Sequence, residues 1–514
     1  MIRLKSIEIS NVKNVEYGRI ELSGGQYGSR VMGIYGQNGS GKTAVVDALA
    51  CVRDLLRGRQ LAPECVDLVG VSSAVPAGVE VEFEIGPGSR ESLGFTQGLG
   101  GDVARGKPYI ACYAFSFDVH EGAPRLVSET FSVRADNMMK RVLLAYGPGE
   151  GEKGRTFSPE ARWRSLRALA GSDASLDLAV AQRSDDLSAS SRIFSRALES
   201  FSVSARAGYG TRSEAKTLSR SARDAYELYL KPLMDTVTLL RKFGFEKLEV
   251  FDTTRGAALA FNYFSLSAPV SGRGQWLETA SEKADGGRYL VDVMLDAEQT
   301  DVIPLEVYNS IVPTVEIENR VLQTIVPGLN IEIRLLNKET MEDGKPGVRV
   351  EVLSRRGDVC VPFRAESEGI KKIVSLLGRL IDVYNDDSAC LVIDEMDSGV
   401  FEFLLGELLE LIAERGKGQL IFTAHNLRSL ECLSPGSLVF TTTNPRRRFI
   451  KFRGSAPSNN LRNQYLRAIN LGGQKEPVYE PTSRVDMGAA FYQAAHPQEG
   501  DFDDLLAKIA THHG

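Results

Sequence analysis

Cysteine is sparse in this chain: Cys51, Cys65, Cys112, Cys360, Cys390 and Cys432 are six in 514 residues, with no CxxC pair and no clustering with histidine. That argues against a disulfide framework and a zinc module, and reads the six as reduced, mostly core thiols. Histidine is scarcer still, at five, so any one placed at the end of a strand stands out. No run of about 18 uncharged apolar residues occurs, as a membrane-spanning helix would require. The opening MIRLKSIEIS alternates like a half-buried strand and does not build a leader. A surplus of positive charge is missing too: the formal net charge is −6 and the pI about 5.7, so any contact with DNA has to be local. These absences predict a cytoplasmic protein without a membrane partner.

What is present is a globular balance of 43% hydrophobic and 25% charged residues, which leaves no room for a long disordered region. The length exceeds the roughly 250 to 300 residues at which one core stops growing, so two or more domains are expected. Residues 1–134 read as strands (Ile2–Ile9, Arg19–Leu22, Val31–Tyr35, Val79–Ile85, Tyr109–Asp118, Leu126–Val133) interrupted by one helix after Lys42. Residues 135–300 read as a mainly helical insert, with an amphipathic helix over Leu218–Phe243. Gly208 and Gly210 are expected to break what precedes that helix, which argues for a compact lobe over long coiled-coil arms. Residues 301–455 return to strands, with helices at Gly369–Tyr384 and Phe401–Glu414, and 456–514 form a tail.

The strongest chemical signal is GQNGSGKT, comprising Gly36, Gln37, Asn38, Gly39, Ser40, Gly41, Lys42 and Thr43, between the apolar strand VMGIY and the helical AVVDALA. This is the phosphate-binding loop G-x-x-x-x-G-K-[ST] in its required strand-to-helix context. The glycines let consecutive backbone N–H groups converge on an anion at a helix N-terminus; Lys42 reaches the β- and γ-phosphates of ATP, and the Thr43 hydroxyl is placed for Mg2+. The second half of such a site is ACLVIDE, a buried strand running into Asp394 and Glu395. Two acids at that point are costly unless used: Asp394 to hold Mg2+ through water, Glu395 as general base for the attacking water. His425 ends the strand QLIFTA, and Ser367 stands at the start of a helix, where a serine is an ordinary N-cap.

In their order, GQNGSGKT, ESEG, LVIDEMDSG and FTAHN resemble the RecF/SMC-like branch of ABC-type ATPases. The resemblance implies an α/β fold: an ABC-type P-loop NTPase head, a mixed sheet plus an antiparallel β lobe, whose halves are 1–134 and 301–455 around a compact helical insert. It implies that His425 is the switch histidine, and that Ser367 and Gly369 belong to a signature binding the γ-phosphate held by a second subunit. It further implies that Asp397 and Ser398 lie in the D-loop at the subunit interface, with ATP sandwiched in a homodimer or higher homo-oligomer. Within that branch the FSFDVHEGAPRLVSETF hairpin, ESEGIKK and the compact insert are similar to the "AAA family ATPase" subunits of bacterial anti-phage systems of the PARIS or Septu type. That likeness implies a nucleotide-gated sensor or scaffold controlling a separately encoded effector, expected to be a nuclease. The alternative is a RecF-like repair ATPase clamping DNA between heads.

The signature departs from the fuller LSGGQ, and no glutamine presents itself for a Q-loop. The basic stretch Arg446, Arg447, Arg448, Lys451 and Arg453 reads as a solvated face or as a phosphate-binding strip. Tail residues Asn459–Asn470 form a basic amphipathic segment, and Asp501, Asp503 and Asp504 open a short terminal helix as dipole partners.

Overall fold

The segments VMGIY, CLVI, QLIFT and LVFT are buried at every position, a pattern that suits strands covered on both faces of a parallel sheet. The computed structural model describes residues 1–22, 30–70, 75–86, 108–135, 139–148, 155–183, 189–251, 263–270, 289–296, 299–341, 344–452, 461–472 and 474–495. The chain opens with the hairpin β1 (Ile2–Val12) and β2 (Val15–Glu21), then β3 (Val31–Tyr35) and α1 (Lys42–Leu56). β4 (Ala77–Ile85), β5 (Tyr109–His120), β6 (Ala123–Ala135), β7 (Arg141–Pro148) and β8 (Arg155–Ser158) follow. Strands thus continue past the limit expected at residue 134, because β7 and β8 extend the same antiparallel sheet, ordered β2-β1-β4-β5-β6-β7-β8.

The helical part begins only at α2 (Glu160–Ala170), with α3 (Ser172–Arg183) and α4 (Arg196–Glu214) after it. Gly208 and Gly210 do not break α4; a Cβ on Gly208 would lie 2.0 Å from the Leu169 carbonyl oxygen, so the glycine lets α4 cross the end of α2 closely. The expected Leu218–Phe243 helix is α5 (Arg220–Ala225) and α6 (Lys231–Glu246), joined by a π-helical turn at Tyr226–Leu230. Three further strands fall inside the stretch expected to be mainly helical: β9 (Leu248–Phe251) and the pair β10 (Tyr263–Val270) and β11 (Tyr289–Asp296).

β12 (Asp301–Pro304), α7 (Leu305–Ile325), β13 (Leu329–Thr340), β14 (Pro346–Arg356) and β15 (Val359–Pro362) build a small antiparallel lobe. α8 (Glu368–Asn385), β16 (Cys390–Ile393), α9 (Glu402–Arg415), β17 (Gln419–Thr423), α10 (Ser429–Cys432), β18 (Leu438–Thr441) and β19 (Phe449–Ile450) complete the body, and α11 (Leu461–Leu471) and α12 (Arg484–Ala495) the tail. The central sheet is ordered β19-β18-β3-β17-β16-β9, parallel except for β19. Alternation along β3 divides its faces: Met32 and Ile34 join the core shared with α1 and the long antiparallel sheet, while Val31 and Tyr35 join the core containing α8 and α9. A third core lies under β12–β14, between α7 and α8. Four cysteines are buried as expected, but Cys360 is exposed and Cys432 only half-buried. The terminal acids Asp501, Asp503 and Asp504 lie outside the described residues.

Candidate nucleotide site

The parallel strands deliver their C-terminal ends to one place, and the P-loop leaves β3 there to start α1. Gly41 holds φ +89°, a left-handed value costly for any residue with a Cβ, and it directly precedes the first helical residue, Lys42. The loop is braced from outside by Thr441, whose Oγ1 donates 2.6 Å to Ser40 Oγ and also reaches the Tyr35 carbonyl at 3.2 Å. The side-chain amide of Asn14 bonds to the Gly39 carbonyl. Gln37 Oε1 accepts the backbone N–H of Glu480 at 2.9 Å, so the tail docks on the loop.

Lys42 is 6% exposed, and its Nζ bends back over the loop to the carbonyls of Gly36 at 2.9 Å and Gln37 at 3.1 Å. Burial lowers its pKa, while Asp394, Glu395 and Asp397 act to hold it charged. Those acids converge on it from the end of β16. Thr43 Oγ1 lies 3.5 Å from Asp394 Oδ1, and Asp394 is 1% exposed. A hydroxyl and a shielded carboxylate facing each other form the hard-oxygen pair a divalent cation takes beside a nucleotide, so these residues fit Mg2+.

Thr423, at the end of β17, was not singled out from the sequence. Its Oγ1 donates to Asp394 Oδ1 and accepts the Glu395 backbone N–H at 2.7 Å, fixing both acids from the neighbouring strand. Glu395 adopts φ +48°, turning the chain sharply just after β16. Lys372, from the second turn of α8, was also missed; it donates to the backbone of that same turn. The sequence signals were a hydroxyl at the strand end of FTAHN and a lysine on the apolar face of ESEGIKKIV.

The remaining expected residues divide. Asp397 Oδ2 accepts the backbone N–H groups of His425 at 2.8 Å and Asn426 at 2.6 Å, so within the chain it holds the histidine turn. His425 and Asn38 are exposed. Ser367 caps α8, accepting from the Ile370 N–H at 3.4 Å. Gly369 packs so closely that a Cβ would lie 2.0 Å from the Gly399 carbonyl oxygen. The basic stretch divides: Arg448 and Lys451 donate to backbone carbonyls, while Arg446 and Arg447 stay exposed and pair with Glu16 at 2.8 Å and Glu476 at 3.6 Å. Arg453 lies outside the described residues.

No protein-family model matches the chain, and no curated protein matches it. Among solved structures, the SMC head domain from Thermotoga maritima is 14% identical, covering 88% of this chain and 100% of that one at a TM-score of 0.35. The Smc head domain of Pyrococcus furiosus bound to the C-terminal domain of ScpA is 12% identical, covering 88% and 96% at 0.36. The Smc head of Pyrococcus yayanosii, with a coiled coil and joint, is 13% identical, covering 88% and 97% at 0.37. Among the described residues no helix is long and apolar enough to cross a membrane. The strand order makes the fold α/β: a mixed central sheet beside an antiparallel β lobe, with a compact helical lobe.

Proposed function

We propose that the protein binds ATP at Gly36–Thr43 and hydrolyses it to ADP and phosphate. The observation that carries this reading is the meeting of Thr43 with Asp394 at 3.5 Å, beside buried Lys42 and next to Glu395. The loop N–H groups and Lys42 hold the phosphates, and Glu395 takes the proton of a water whose oxygen attacks the γ-phosphorus as the bond to the β-phosphate oxygen breaks. Mg2+ held by Thr43 and, through water, by Asp394 would neutralise charge on the β- and γ-phosphates. His425, on the turn held by Asp397, reads the presence of the γ-phosphate. Replacing Lys42 with Ala tests the site: calorimetric ATP affinity should fall by at least ~100-fold, and unchanged affinity would refute it.

The same reading makes the active form a homodimer or higher homo-oligomer, with ATP between the P-loop of one head and Ser367 and Gly369 of another. Support comes from the helix start at Ser367, which presents backbone N–H groups to an anion. Its cellular role is then a nucleotide-gated scaffold in anti-phage defence that controls a separate effector, with the helical lobe as sensor. Against the DNA-clamp alternative stands the use of Arg448 and Lys451, which donate to backbone carbonyls of the head.

A further inference from the structure

The turn between β1 and β2 lies against the P-loop, and its backbone is bent to reach it. Asn11 and Lys13 hold φ +52° and +50°, left-handed values that are costly for residues with a Cβ and persist only where the surroundings impose them. Three neighbouring elements do so here. Lys13 pairs with Asp47 of α1, and its backbone N–H donates 2.7 Å to the Leu68 carbonyl. The N–H groups of Glu16 and Tyr17 both reach the Pro445 carbonyl at 3.0 Å. Arg448, 6% exposed, donates 2.5 Å to the Asn14 carbonyl and 2.7 Å to that of Thr442.

So anchored, the turn presents the side-chain amide of Asn14 to the Gly39 carbonyl of the P-loop. Gly39 and Gly41 hold φ +72° and +89°, and as glycines they give this stretch of the loop the most backbone freedom to lose. A Cβ on Gly41 would lie 2.6 Å from a Val15 methyl carbon, so packing against the same turn confines that end. A Cβ on Gly39 would meet no described atom within 4 Å, so there the Asn14 amide, and not packing, holds the peptide from outside.

We propose that Asn14 is a positioning residue for ATP: by holding the Gly39 carbonyl, while Arg448 holds its own, it keeps the P-loop shaped for phosphate before the nucleotide arrives. A loop ordered in advance loses less freedom on binding, so the contribution is to affinity and not to the chemical step. This rests on the reading that Gly36–Thr43 binds ATP.

The test measures calorimetric ATP affinity, kcat and KM on the full chain and its variants. Asn14→Ala should weaken ATP at least ~threefold and raise KM with it, while kcat stays within ~twofold. Asn14 is exposed, so the urea midpoint should not move. Asn14→Asp keeps the size, loses the donor and sets a carboxylate beside the loop. It should bind ATP more weakly still at ~50 mM salt and approach Asn14→Ala at ~500 mM, as the charge is screened. A residue that only stabilised the fold would give no such salt response, so this comparison decides alone if the midpoint of Asn14→Ala falls. A loss of affinity below ~threefold in Asn14→Ala, a fall in kcat alone, or equal binding by the two variants at both salts would each overturn the proposal. Unchanged affinity in Lys42→Ala would instead remove the ATP reading beneath it.

Discussion

Lys372 Nζ donates a 2.6 Å hydrogen bond to the carbonyl oxygen of Glu395 and a 3.3 Å bond to that of Ser398. The lysine is 3% exposed and starts from α8, the helix capped by Ser367, so a single side chain ties that helix to the turn bearing the proposed base. Burial lowers its pKa, yet Asp397, Glu395 and Asp394 all act to keep it charged. Replacing Lys372 with Met leaves two carbonyls without their donor, a loss of about 1–3 kcal/mol at the turn. The expected result is a fall in kcat of at least ~tenfold with the KM for ATP within ~threefold, since nothing on the P-loop changes. A rise in KM with unchanged kcat would show that Lys372 serves nucleotide binding and does not position the turn.

Thr423 offers a second handle, because its hydroxyl serves Asp394 and Glu395 at once. Thr423→Val keeps the shape and removes the donor to Asp394 and the acceptor for the Glu395 N–H. Hydrolysis should drop by ~10- to 100-fold, and the Mg2+ concentration giving half-maximal rate should shift, because the carboxylate loses its orienting bond. An unchanged Mg2+ dependence would remove Asp394 from the metal site.

Away from the nucleotide site, Glu318 on α7 is 8% exposed, and its Oε2 has no hydrogen-bond partner among the described residues. Desolvation, with Asp382 adding to it and Arg379 opposing, pushes its carboxyl up to about 7. The folded state then keeps a proton that the unfolded chain releases near the ordinary glutamate value, so stability is lost as pH rises from about 4.5 through 7. Glu318→Gln should therefore unfold in urea much as wild type does at pH 4.5, relative to its own baseline, and gain on wild type by up to about 3 kcal/mol at pH 8. A stability difference that does not vary with pH would show that Glu318 does not titrate in this range.

The sequence revealed much of the central sheet because its strands are buried on both faces: VMGIY reads as a strand with the bounds observed, and CLVI and QLIFT lie within the strands ACLVIDE and QLIFTA. Neighbours of the lobe were harder. β8 is only RTFS, too short for alternation to register, and β9, LEVF, directly follows a helix and gains its identity from pairing with distant β16. Gly208 read as a helix break because glycine weakens helices, yet a close helix crossing overrode that preference. In the site, Lys42, Thr43, Asp394 and Glu395 were legible because motif and strand context agree, and the structure brings them together. Thr423, Lys372 and the docking of Glu480 on Gln37 were not, because they are tertiary hydrogen bonds with no local periodicity to announce them. Asp397 likewise was expected across an interface, but its contacts to the His425 turn appear only once β16 and β17 lie side by side.

If Glu395 activates water for an ATP held by the P-loop, the Glu395→Gln variant separates binding from turnover. The amide retains the shape and cannot take the proton. With ATP affinity measured by calorimetry and turnover by phosphate release on the same preparation, affinity should stay within ~threefold of wild type while kcat falls at least ~100-fold. Phosphate release at the wild-type rate, with ATP binding intact, would show that Glu395 does not activate the water.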